Sequence, residues 1–153
     1  MNPQDFVDRH SDLFATFFPI FFFCLWLTVS GIISFIGGWY SLSRCYRNEV
    51  PFSGAKWRMQ SGQMRWRANY NNALTIGANE EGLYLGMIFL FRFMHPPLLI
   101  PWNEVRVRRT SGWLFDYVIL TLGQELAIPL RIRAGLGNKL REIAASRWPI
   151  EET

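Results

Sequence analysis

The sequence predicts an α+β chain, mostly β, in which one N-terminal transmembrane helix precedes a compact strand-rich domain closed by a C-terminal helix. Three observations predict it. No residue from Leu13 to Tyr40 carries a charge, and the run is overwhelmingly apolar. From residue 56 onward, short runs with apolar residues at alternate positions are separated by Gly, Asn and Pro, the pattern of half-buried strands. The last such run gives way to GLGNKLREIAASRW, where Leu136, Leu140, Ile143, Ala144 and Trp148 recur at helical spacing.

The apolar run comes first. About 20 apolar residues cross a hydrocarbon core of roughly 30 Å, so residues 13–40 are long enough to span with some tilt. A buried helix of a globular protein is rarely apolar on every face over such a length. The preceding residues 1–12 hold Asp5, Asp8 and Asp12 against Arg9 alone, whereas a signal peptide needs a positive start, a short apolar core and a small-residue cleavage site. The segment therefore reads as a retained anchor. Pro19 fits a first turn or a kink, and Trp39 and Tyr40 fall where an interfacial aromatic belt lies.

Flanking charge sets the expected orientation. Arg44, Arg47, Lys56, Arg58, Arg65 and Arg67 follow the run, opposed only by Glu49. The positive-inside rule then places residues 1–12 outside and the chain after residue 40 in the cytoplasm, as in a bacterial inner-membrane protein. Those six residues belong to a basic collar that includes a juxtamembrane linker over 41–55, suited to anionic lipid headgroups. The collar also accounts for the net charge of +4, because residues 68–153 are nearly balanced. That distribution speaks against nucleic-acid binding, which needs a basic face on the folded domain itself.

Inside the run, Ser30, Ser34 and Gly38 recur every four residues, with Gly31, Gly37 and Ser41 nearby. Small residues at this interval line one helix face and let a second backbone approach. Two readings stand: a packing face for a partner helix or a second copy, or the ordinary abundance of Gly and Ser in membrane helices.

The β domain is expected over 56–148, with a tail at 149–153. LTIGANEEGLYLGMIFLF suggests two strands joined at Asn79–Gly82, the second carrying its apolar side chains at odd positions from Leu83 to Phe93. His95-Pro96-Pro97 breaks that run, and Arg92 with the two prolines argues against a second span over 83–102. The hairpin bearing Phe91, Phe93, Met94, Pro96, Pro97 and Leu98 either fills the core or presents an apolar tip to the membrane interface or a partner. LLIPWNEVRVRR resumes the strands, with Val105 and Val107 on one face and Arg106 and Arg108 on the other. Ser111-Gly112 marks a turn. DYVILTLGQELAIPLRIR reads as a hairpin closing at Gly123-Gln124, with Leu126, Ile128, Leu130 and Ile132 inward and Arg131 and Arg133 outward. KWRMQSGQMRW fits either a first strand or a linker along the membrane surface.

Gly82-Leu83-Tyr84-Leu85, Ile100-Pro101-Trp102-Asn103-Glu104-Val105, the later Val118-Ile119-Leu120-Thr121-Leu122 hairpin and one closing helix together resemble the bacterial pleckstrin-homology-like (PH-like) domains over about residues 56–148. The resemblance implies a strongly bent antiparallel barrel or sandwich with the helix plugging one open end, the Trp102 ring packed and Glu104 near a strand edge. It implies binding or scaffolding and no reaction.

Chemistry-bearing residues are sparse. Cys24 lies within the span and Cys45 at its edge, so they cannot readily meet as a disulfide. Neither these nor His10 and His95 have metal-ligand spacing, and no phosphate-cradling glycine loop or nucleophile elbow is present. Glu80-Glu81 sits in an expected turn. The expectation is a chain with no enzymatic activity, cofactor or metal. It acts as a membrane-anchored adaptor or accessory subunit whose partner is another integral membrane protein or its own copy. The alternative is an anionic-lipid sensor reading headgroups with Arg106, Arg108, Arg109, Arg131 and Arg133.

Overall fold

A computed structural model describes the backbone of residues 3–65 and 68–152, with side chains from residue 13 onward in those ranges. The chain divides into two compact units, Met1–Ile32 and Ile33–Thr153.

The first unit is helix. Helix α1 runs from Pro3 to Gly37 with Pro19 inside it, and Leu13–Gly37 is long and apolar enough to cross a membrane. Its phenylalanines from Phe14 to Phe23 are exposed, and Thr28 Oγ1 donates to the Cys24 carbonyl at 2.8 Å.

In the second unit the last turn of α1 stops at Gly38, whose φ of +83° ends the helix. A residue with a Cβ is strained there, and the atom would also stand 2.7 Å from Ile128 Cδ1. Helix α2, Trp39–Tyr46, follows at once and buries Trp39 and Leu42. Residues 41–55, expected as a linker, thus begin as helix. Trp39 and Leu42, just past the apolar run of α1, belong to the core of the domain.

Eight strands form one curled half-barrel sheet: β1 Ala55–Met64, β2 Ala68–Ala78, β3 Gly82–Met87, β4 Leu98–Pro101, β5 Val105–Ser111, β6 Asp116–Leu122, β7 Ile128–Arg133 and β8 Glu151–Glu152. Their order is β4-β3-β2-β1-β7-β6-β5-β8. The ambiguous segment KWRMQSGQMRW supplies most of β1, whose bulges between Trp57 and Gly62 blur its alternation and so its sequence signal. Consecutive strands pair antiparallel within each of the two sets, and β1 joins β7 through Gln63–Arg131 and Met64–Leu130. The tail does not hang free: β8 pairs parallel with β5 at Val107–Glu151, and Glu151 binds Arg109 at 3.0 Å.

Inward side chains of β5 and β7 follow the expected alternation, and β6 adds its own buried set. Val105 and Val107, Val118, Leu120 and Leu122, and Ile128, Leu130 and Ile132 are all buried. Helix α3, Ala134–Ala144, covers the concave face by packing on β2, β6 and β7 through Leu136, Gly137, Leu140 and Ala144. It is shorter than the sequence period suggests, since residues 145–147 tighten into a 3-10 turn and Ile143 is 40% exposed. The Trp102 ring is buried, 5.5 Å from Trp148, and its Nε1 donates to the Asn79 carbonyl at 2.9 Å.

One strand ends early. The odd-position apolar run from Leu83 to Phe93 stays a strand only to Met87, and Phe89–Phe91 turns as a 3-10 helix. Strand β4 starts at Leu98 beyond the two prolines, so the sheet has no partner for the later phenylalanines and the chain leaves it.

Candidate docking surfaces

Two apolar loops stand out from the β domain, at different ends of its strands. The first is Ile88–His95, at the place where the chain enters the domain. Phe89 is 89% exposed and Phe93 77%, with Leu90 also exposed. The stem of this loop is held by the entering chain. Ser34 Oγ donates to the Met94 carbonyl at 2.9 Å, Trp39 Nε1 to the Pro96 carbonyl at 2.9 Å and the Asn48 N–H to the Pro97 carbonyl at 2.8 Å. Arg47 then bridges Leu98.

His95 locks the same stem from inside. It is fully buried, with Nδ1 3.1 Å from the Phe91 carbonyl and Nε2 3.4 Å from the Tyr70 hydroxyl. A carbonyl only accepts, so Nδ1 carries the proton, and a neutral ring then takes the Tyr70 hydrogen at Nε2. Burial lowers the His95 pKa, partly opposed by the bond to Phe91, and burial raises that of Tyr70. Both rings pack against Trp39, His95 edge-on at 5.2 Å and Tyr70 tilted at 6.0 Å. This satisfied, uncharged cluster leaves His95 no free nitrogen for acid–base work.

The second loop is the β5–β6 tip, where Trp113 is 97% exposed and Leu114 and Phe115 lie beside it. It stands at the far ends of β6 and β7 from the Gly123–Ala127 turn, and a strand of six residues rises roughly 20 Å. Gly123 packs near the Tyr46 ring of α2, so the tip points away from the segment by which the chain enters. Arginines brace it: Arg133 lies 4.7 Å over the Phe115 ring and Arg131 3.9 Å over Tyr117. Stacked guanidinium groups of this kind stiffen a loop while leaving their N–H edges for other partners.

Those arginines also wall a shallow cleft of about 260 Å³, with Gln63, Asn69 and Asn71 opposite Tyr117, Arg131 and Arg133. The β register aligns Asn69, Gln63, Arg131, Ile119 and Arg108 in one row across five strands on the outer face of the sheet. Among the described residues, Arg131 Nε is buried without a hydrogen-bond partner.

The small-residue series is buried along the end of α1. Ser30 and Ser34 are buried, Ser34 through its bond within the domain, and Gly38 is the helix terminus. The basic series is dispersed. Arg44 and Arg47 are exposed on and just after α2, and Arg47 pairs loosely with Glu49 at 3.4 Å. Arg65 occupies the turn after β1, with Nε 3.0 Å from where a Gly38 Cβ would stand. Lys56 and Arg58 lie seven to nine residues back along β1, roughly 20–30 Å away by strand rise, and Lys56 Nζ sits 5.0 Å over the Tyr84 ring. Arg67 falls outside the described residues. Three of the six are therefore gathered at the entry.

Of the hairpin residues, Phe93 is exposed and Met94 partly so, while Phe91, Pro96 and Pro97 are half-buried and Leu98 is core. The tip at Trp113-Leu114-Phe115 was not anticipated, though three apolar residues between Ser111-Gly112 and Asp116 are a legible signal for an exposed apolar turn. Phe89 and Leu90 were expected on a strand. Among the lipid-sensor candidates, Arg109 is committed to Glu151 and Asn138. Among the described residues, no group of three His, Cys, Asp or Glu side chains is placed to hold a metal.

With this geometry in hand, comparison with known proteins returns no match: no family model fits the chain, and no curated protein or solved structure is significantly similar to it.

Proposed function

We propose that this chain is a non-catalytic, membrane-anchored docking subunit. Helix α1 holds it in a bacterial inner membrane with its N-terminus outside. A PH-like domain faces the cytoplasm and joins an integral membrane complex. The arginine-braced tip Trp113-Leu114-Phe115 carries this reading. An exposed apolar triplet with Trp113 at 97%, braced by Arg133 on Phe115 and by Arg131 on the adjoining Tyr117 and directed away from the chain's entry, is the arrangement of a protein-contact hot spot. The curled sheet closed by one C-terminal helix supports the PH-like assignment, and the basic residues at 44, 47 and 65 support the orientation. The tethering of His95 to Tyr70 and Phe91 is consistent with a domain that binds and does not react.

The test is the native mass of the full chain purified in gentle detergent, beside that of a Trp113→Ser, Leu114→Ser double variant. A stoichiometric complex that the variant loses while keeping its fold supports docking through the tip. A lone monomer from both sinks it.

Arg131 favours a second reading, in which the cleft takes an anionic lipid headgroup. A guanidinium nitrogen buried without a partner is costly unless a ligand supplies an acceptor. Equal binding of the protein to neutral and anionic vesicles would rule that out.

A further inference from the structure

We propose that the loop Phe89–Met94 is a membrane wedge that enters the interface of the lipid bilayer beside the emerging end of the span. The inference rests on the reading of α1 as a membrane anchor and adds a second, independent contact with the same bilayer.

Covalent continuity argues for lipid as the occupant. The last turn of α1, Ile33–Gly37, belongs to the β domain unit, and Ser34 within it is bonded to Met94 of the loop. That turn and the start of α2 present Phe35, Ile36 and Tyr40 as exposed apolar surface, with the Phe35 and Tyr40 rings 6.3 Å apart. Phe89, Leu90 and Phe93 are exposed apolar side chains on the loop that Ser34 holds at Met94.

Length places the loop at the right depth. The 25 residues of Leu13–Gly37 make about 37 Å of helix, against a hydrocarbon core of about 30 Å. An untilted span therefore overshoots by roughly 7 Å, which is the height of its last turn and a half. Ser34 sits in that overshoot, at the boundary between hydrocarbon and headgroups, and Met94 is held at its level. A tilted span carries both deeper.

Composition agrees. From Ile88 to Met94 the only charge is Arg92, which is exposed between Leu90 and Phe93. An arginine among aromatic and aliphatic side chains suits a phosphate layer, because its stem stays apolar while its head reaches the headgroups. Arg44, Arg47 and Arg65 stand on the same entry side. The stem bonds to Ser34, Trp39 and Asn48 hold the loop in this shape, with Phe91 packed against the core and Phe89, Leu90 and Phe93 displayed.

Nitroxide collision accessibility tests the proposal. Cys24 and Cys45 are replaced by Ser in the full chain, which is then labelled singly at Phe21→Cys, Phe93→Cys or Leu114→Cys in phospholipid nanodiscs. In lipid, oxygen collides with a label more often than a water-soluble nickel chelate does, and in water the order reverses. The expected result is a lipid signature at Phe21 and Phe93 and a water signature at Leu114. A water signature at Phe93 with lipid at Phe21 overturns the wedge while leaving the anchor intact. A water signature at Phe21 overturns the anchor, and the wedge with it. Poor access of both quenchers at Phe93 means protein covers the loop, and overturns the wedge in favour of a second copy or partner.

Discussion

Trp39 Nε1 donates to the Pro96 carbonyl at 2.9 Å, joining residues 57 apart in sequence. The bond ties the first residue of α2 to the return arm of the exposed loop, and the same indole ring packs edge-on against His95. Loop geometry and the chain's entry are therefore one structural unit.

Replacing Trp39 separates the two contributions of this contact. Trp39→Phe keeps most of the buried ring but leaves the Pro96 carbonyl unpaired, an expected loss of about 1–3 kcal/mol. Trp39→Ala removes the ring as well and costs about 3–5 kcal/mol. Urea titration of the detergent-solubilised chain, followed by far-ultraviolet circular dichroism, reads both.

His95 makes the domain acid-sensitive. Its native pKa is lowered by burial, so near the ordinary histidine value of about 6.5 the unfolded chain binds more protons than the folded one. The stability His95 contributes is full above that value and falls as pH drops through it toward the lowered native pKa. The slope is at most about 1.4 kcal/mol per pH unit. Urea midpoints compared between about pH 7 and 5.5 should fall more steeply for the wild type than for His95→Gln. Parallel slopes would contradict this assignment.

Two glycines of α3 are predicted to respond oppositely. A Cβ at Gly135 meets nothing within 4 Å, so Gly135→Ala should stabilise by up to about 1 kcal/mol through helix propensity. A Cβ at Gly137 would stand 2.6 Å from Val118 Cγ2, so Gly137→Ala should destabilise despite the same propensity gain, by about 1–3 kcal/mol. Thermal melts of the two variants settle the sign.

Trp102 and Trp113 differ as core and display. Trp102→Ala empties a buried site against Trp148 and should cost about 3–5 kcal/mol. Trp113→Ala, at 97% exposure, should change stability by less than about 0.5 kcal/mol. A large loss at Trp113 would mean the tip is structural.

Local pattern carried much of this architecture. Period two set the inward faces of β5 and β7 correctly because each of these strands alternates between the core and a wetter side, and register follows from that. Composition alone marked residues 13–40, of which Leu13–Gly37 forms a helix long and apolar enough to cross a membrane. The loop at Phe89–Met94 misread as strand for the same reason: alternation persists past Met87, but a strand needs a neighbour, and β4 starts too late to provide one.

Other features had no local signature. That Ser34 meets Met94, that β8 returns to β5, that Arg131 and Arg133 stack on Tyr117 and Phe115, and that the basic residues disperse along β1 all depend on which strands become neighbours. Sequence patterning expresses how each residue partitions between water and an apolar interior, a property of the residue and its near neighbours. Contacts between distant segments arise from closing the sheet, where loop entropy and packing select one arrangement among many that share the same pattern.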